Sequence, residues 1–132
     1  MTHTTIKVST RERTELIDIT AQVKKAVSSS GISEGMCSVY IPHTTCGVTI
    51  NENADPSVKR DILMEINKIV PFKDNYQHME GNSPAHIKAS LFGPSVYIPV
   101  SGGSPMLGTW QGIYFCEFDG PRSRSAIISV GG

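Results

Sequence analysis

Three of the four histidines, His43, His78 and His86, sit where the chain turns or where a helix begins rather than inside an apolar run. Imidazoles delivered from such positions can converge as a facial set on one divalent ion and leave positions open for water or substrate, as in a catalytic zinc-type centre. Glu80, two residues after His78, suits a fourth ligand or a general base. The spacing matches no standard metal motif, and capping or surface roles explain His43 and His86 equally well.

The stretch HMEGNSPAHIKASLFG, residues 78–93, places two of these imidazoles around a helix start. Ser83 is an apt N-cap, Pro84 an apt first helical residue and Gly93 an apt stop. His86 then falls in the first turn, where unpaired N–H groups and the positive end of the helix dipole favour an anion. A substrate phosphate is expected there, assisted by Lys88, with Ser90 sharing the face of His86 four residues earlier. The plainer reading of Lys88 is a solvated lysine. Ile87 and Leu91 share another face and are expected to point into the core.

Glu52 closes a strand, where side chains often line a site, and could serve as a base or hold a substrate cation; the alternative is an exposed carboxylate. The GTWQG corner presents an aromatic plane and an amide, Trp110 and Gln111, fit to stack on and hydrogen-bond a planar ring or to anchor a subunit interface. Arg122 and Arg124, after the DGP turn, could clamp a phosphate. Cys46 lies three residues beyond His43, but no third group is evident to orient a thiolate nucleophile.

These residues must be positioned by a small framework. Alternation of apolar and polar residues predicts strands over 4–10, 15–20, 36–42, 47–53, 95–100, 112–118 and 125–130. Helices are predicted over 21–30, capped by Thr20, and over 56–70, opened by Asp55 and Pro56 with Val58, Ile62, Ile66 and Ile69 as a core face. With the helix of residues 84–92, about seven strands and three helices give an α+β class, with a largely antiparallel, sandwich-like sheet. At 132 residues the chain suits a single domain, 1–132, with one core. Twelve basic residues balance twelve acidic ones, which gives no sign of a nucleic-acid or anionic membrane partner. No apolar run reaches the length of a membrane span and the N-terminus lacks a signal-peptide core, so a cytoplasmic protein is expected. Three unpaired cysteines, with Cys37 and Cys116 in strands of the core, fit a reducing compartment.

The segments PHTTCGVTINENADPSV, H.EGNSPAHIKASLFG and GTWQGIYFCEFDGPRSR together resemble the YjbQ-like family, also described as a secondary thiamine-phosphate synthase family. The resemblance implies an α+β sandwich-like fold, a homotrimer, a site built on His43, His78 and His86, and thiamine-phosphate synthase-like transferase activity. It also implies that the Cys46 position accepts other small residues. A small phosphorylated substrate and a divalent metal are then expected. Three imidazoles suit zinc, whereas magnesium, the usual helper of departing pyrophosphate, wants oxygen ligands. Two alternatives stay open: a metal-dependent hydrolase with Glu80 or Glu52 as base, and a non-catalytic protein that binds a metal or a phosphometabolite.

Overall fold

The computed structural model describes residues 1–132. The elements run β1 (Thr2–Ser9), β2 (Glu15–Asp18), α1 (Thr20–Ser30), β3 (Gly35–Tyr40), β4 (Cys46–Glu52), α2 (Pro56–Ile69), α3 (Ser83–Phe92), β5 (Ser95–Ser101), β6 (Ser104–Pro105), β7 (Gln111–Glu117) and β8 (Ser123–Gly131). The α+β class holds, with every strand pair antiparallel. The strand beyond the expected seven is β6, a two-residue piece that follows the Gly102–Gly103 reversal.

A five-stranded sheet in the order β1-β8-β3-β5-β6 faces a three-stranded sheet in the order β2-β7-β4. Period-two alternation decides what lies between them. From β7, Ile113 and Phe115 point into the sandwich; from β8, Ala126, Ile128 and Val130 do so, joined by Val39 and Cys37 of β3. α1 closes one side of this core with Val23, Ala26 and Val27. The intervening β7 residues Tyr114 and Cys116 face the other way, where α2 and α3 cover them with Ala85, Ala89, Ile62 and Leu63. The small sheet is thus buried on both faces. The large sheet leaves its outer face open, with Met36, Tyr40 and Tyr97 about half exposed or more.

Three local expectations change. Thr20 is the first residue of α1 rather than its cap; its hydroxyl donates to Asp18 and accepts the Ile113 N–H, tying the helix start to β7. α2 lies on the surface: Asp55 caps it through the Ser57 N–H as expected, yet no residue of the helix is fully buried and Ile69 is largely exposed. In α3 the buried face is Pro84, Ala85, Lys88 and Ala89, while Ile87 and Leu91 are exposed. The reason is proximity. A Cβ on Gly47 of β4 would lie 3.0 Å from both the Gly93 carbonyl oxygen and the Phe92 Cβ. A helix packed that closely needs small residues along its seam, so the bulky ones turn outward.

Candidate active site

At one end of the sandwich the β3–β4 corner, the loop before α3 and the β7–β8 turn enclose a cavity of about 740 Å³. Its walls are polar. They carry His43, His78, His86, Glu80, Asn82 and Asp119, with the guanidinium groups of Arg122 and Arg124. The three histidines singled out by position, with Glu80 and Arg122, therefore do meet on one cavity.

His43 is fixed by the strand behind it. The pairing of β3 with β8 stops at Tyr40 opposite Ile127, which leaves the Ser125 N–H free. That N–H donates to His43 Nε2 at 3.0 Å. Burial lowers the His43 pKa, and the Arg124 charge lowers it further, so the ring is neutral at pH 7. A neutral imidazole whose Nε2 accepts must carry its proton on Nδ1. As placed, His43 Nε2 is engaged by β8 and turned away from a shared ion. Across the cavity, the rings of His78 and His86 meet edge to face with centroids 5.5 Å apart. No three His, Cys, Asp or Glu side chains gather closely enough within the chain to hold one ion. As placed, the three imidazoles do not fit the expected tripod.

Beneath the cavity lies a charge pair of which the sequence reading named only one member, Arg124. Glu117 ends β7 on the inward register of Ile113 and Phe115, and Arg124 opens β8 on the inward register of Ala126. They join the two sheets: Arg124 Nε donates to Glu117 Oε1 at 2.8 Å and Nη2 to Oε2 at 2.6 Å. Oε1 also accepts from the Thr10 hydroxyl, and Oε2 from the Asp119 N–H and the Cys46 thiol. Burial by itself would raise the Glu117 pKa, but these donors hold it below the ordinary value. Strand parity was the available signal, since it turns both charged residues inward.

The Cys46 thiol spends its proton on Glu117, and burial with that neighbouring charge pushes its pKa far up. It is no nucleophile.

The remaining candidates lie elsewhere. Lys88 was expected at a phosphate on the start of α3. Instead it is fully buried beneath α2, with Nζ donating to Asn67 Oδ1 at 2.7 Å and 4.1 Å from the centre of the Phe72 ring. The α3 start offers little to an anion. Asn82, not Ser83, occupies the cap, Pro84 has no N–H, and those of Ala85 and His86 both go to the Asn82 carbonyl. Ser90 is exposed and donates back to the His86 carbonyl. Glu52 pairs with Gln111 at the opposite end of β4 and β7 from the Cys46–Glu117 pair, roughly 20 Å away at the rise of a strand. Trp110, 63% exposed, shares that far end, where the Gln111 side chain accepts the Gly108 N–H. In one chain, then, Glu52, Trp110 and Gln111 do not line the cavity.

Comparison with known proteins agrees with the fold. The family model described as UPF0047 protein YjbQ-like matches residues 4–132. The chain belongs to the YjbQ-like family. A UPF0047 protein of Methanocaldococcus jannaschii is 51% identical over 124 residues, covering 94% of this chain and 90% of the relative. UPF0047 protein YugU of Bacillus subtilis is 49% identical over 129 residues, covering 97% and 98%. A crystal structure of an uncharacterized YjbQ/UPF0047 family protein from Clostridium acetobutylicum superposes with a TM-score of 0.96 at 54% identity, covering 97% of this chain and 99% of that one. A YbjQ-like protein of unknown function from Sulfolobus solfataricus gives 0.94 at 34% identity, covering 98% and 95%. The YjbQ-like fold thus extends to archaeal proteins with a third of the sequence in common. No helix of the chain is long and apolar enough to cross a membrane.

Proposed function

We propose that the polar cavity is the active site of an enzyme acting on a small phosphorylated substrate, with thiamine-phosphate synthase-like transfer as the reaction to test first. The observation that carries this reading is the meeting of three imidazoles, Glu80 and two arginines on one cavity. Joining a thiazole phosphate to a pyrimidine diphosphate expels pyrophosphate, so negative charge builds on the leaving group. The cavity supplies an N–H donor in His43, proton carriers in His78 and His86, and positive charge in Arg122 and Arg124. The thiazole nitrogen attacks with its lone pair and has no proton to lose, so Glu80 on the wall would offset the thiazolium charge in this scheme and act as a base only in hydrolysis.

Purified protein should form thiamine phosphate from the two precursors, and His78→Ala and His86→Ala should each lower kcat by about a hundredfold or more. Turnover that survives exhaustive chelation supports catalysis by these side chains alone. Turnover lost to chelation and restored by zinc replaces that reading with a metal-dependent one. Absence of product from these precursors or from phosphate-ester hydrolysis points to the binding protein.

We also propose a homotrimer. Support comes from the uncovered face of the large sheet, where Met36, Tyr40 and Tyr97 are exposed, and from Tyr40, which belongs to both that face and the cavity wall. Tyr97→Glu should convert a trimer to monomers in light scattering. A parent chain that scatters as a monomer at micromolar concentration removes the proposal.

A further inference from the structure

Arg124 is nine-tenths buried, yet one of its three nitrogens has nothing to do within the chain. Nε and Nη2 are taken by Glu117, and Nη2 also by the Thr45 hydroxyl at 2.8 Å. Nη1 makes no bond, though it is not sealed in: the one buried side-chain nitrogen or oxygen left without a partner is Asn82 Oδ1. Since Arg124 lines the cavity, Nη1 presents its two N–H groups there.

Asn82 lines the same cavity, and its Nδ2 donates to Asp119 Oδ2 at 3.0 Å. Turned the other way, the amide would set its oxygen against the Asp119 carboxylate, so its orientation is fixed. The cavity thus holds one unmet pair of donors, whereas Asn82 Oδ1 is sealed behind its wall. A hydrogen-bonded chain braces this side of the cavity, from Asn82 to Asp119, from the Asp119 N–H to Glu117, and from Glu117 to Arg124.

We infer that Arg124 is the anion anchor of this cavity, that Glu117 is the residue that positions it, and that the ligand is a small phosphate ester. This deepens the proposed function by naming the residue that holds its phosphate, and the ligand chemistry rests on that reading. A guanidinium with two nitrogens clamped by a carboxylate cannot swing away, so its third meets the ligand with little ordering left to do. Arg122 beside it is also held at two nitrogens, Nε by the Asp119 carbonyl and Nη2 by its carboxylate at 2.9 Å, but its side chain is half exposed and screened by solvent.

The test measures binding, not turnover. Ethyl phosphate and glycerol 3-phosphate are titrated calorimetrically into the full-length parent and two variants. Arg124→Ala alone leaves Glu117 charged and unpaired in the interior, so the decisive protein is Arg124→Met/Glu117→Gln, which neutralises both at similar volume. With its melting transition intact, it should bind both esters about ten- to a hundredfold more weakly, the range of a charged hydrogen bond. Glu117→Gln alone keeps the guanidinium but frees it. Its affinity should fall less, and the Arg124 Nε–H resonance, sharp in the parent, should broaden into exchange with solvent. The inference is overturned if the double variant binds either ester within twofold of the parent, or if the parent binds neither. Ester binding without any turnover removes the proposed enzyme and keeps the anchor. Undiminished turnover at unchanged KM in the double variant does the reverse.

Discussion

Two cations lie inside this protein, and they are handled in opposite ways. Arg124 is held by a carboxylate and a threonine hydroxyl, and although burial alone would depress its pKa, Glu117 keeps it raised. Lys88 has no carboxylate. It has one amide oxygen, the Phe72 ring, and Arg13 over the same ring at 4.0 Å; burial first, and Arg13 second, lower its pKa to about 8. The arginine has spare donors facing a cavity, and the lysine is sealed beneath α2. Burial of a charge therefore marks two different things here. With a carboxylate partner the buried charge is kept and its spare donors are held in place; without one it is a local cost that the surrounding packing offsets.

The sharpest way to break this contrast is to remove the carboxylate. Glu117→Ala should cost about 3–5 kcal/mol in denaturant unfolding, because Arg124 is left charged and unpaired. The neutral double variant should recover most of that loss. If Glu117→Ala costs under about 1 kcal/mol, the pair is not the joint between the sheets that the geometry describes. Lys88 should respond with the opposite sign. Lys88→Met should stabilise the protein by about 1–3 kcal/mol at pH 7. The folded pKa of about 8 lies below the ordinary 10.5, so between these values the unfolded chain holds more protons and the parent gains stability as pH rises. The advantage of Lys88→Met should therefore fade from about pH 8 to 10.5; a constant advantage across that window would mean that Lys88 does not titrate early. Arg122 supplies the smallest effect. Its pair with Asp119 is half exposed, so Arg122→Ala should shift stability by about 1 kcal/mol or less. A larger loss would show that the rim pair, not only the buried one, braces the turn.

Much of this was legible in the residues. Alternation placed the seven longer strands, and residues picked out by their turn positions, His43, His78, His86, Glu80 and Arg122, line one cavity. Other features depend on what lies opposite. In a ten-residue helix with Ala85, Ala89, Ile87 and Leu91 on different stripes, size argues for burying the large pair. Only the close approach over Gly47 reverses that choice, and it carries Lys88 inward with the alanines. Glu52 is indeed at a strand end, but a strand has two, and the antiparallel pairing with β7 sends it to the wrong one. Glu117 was hidden by a reasonable habit: charged residues are read as exposed even where the parity of their strands turns them inward, so Arg124 was named as a phosphate clamp without its buried partner.

The cysteines give the molecule an unplanned gauge. Cys37, Cys46 and Cys116 are all free and all buried, and burial raises the pKa of each. An alkylating reagent at neutral pH finds no thiolate on the folded chain and three ordinary thiols on the unfolded one. Because Cys46 gives its proton to the same carboxylate that clamps Arg124, its labelling rate also times the opening of that clamp. Cys37, on the large sheet and facing the core between the sheets, and Cys116, on the face of the small sheet under α2 and α3, time the loss of the two cores. Three native sulfurs thus provide clocks at three places in the molecule without the addition of a probe.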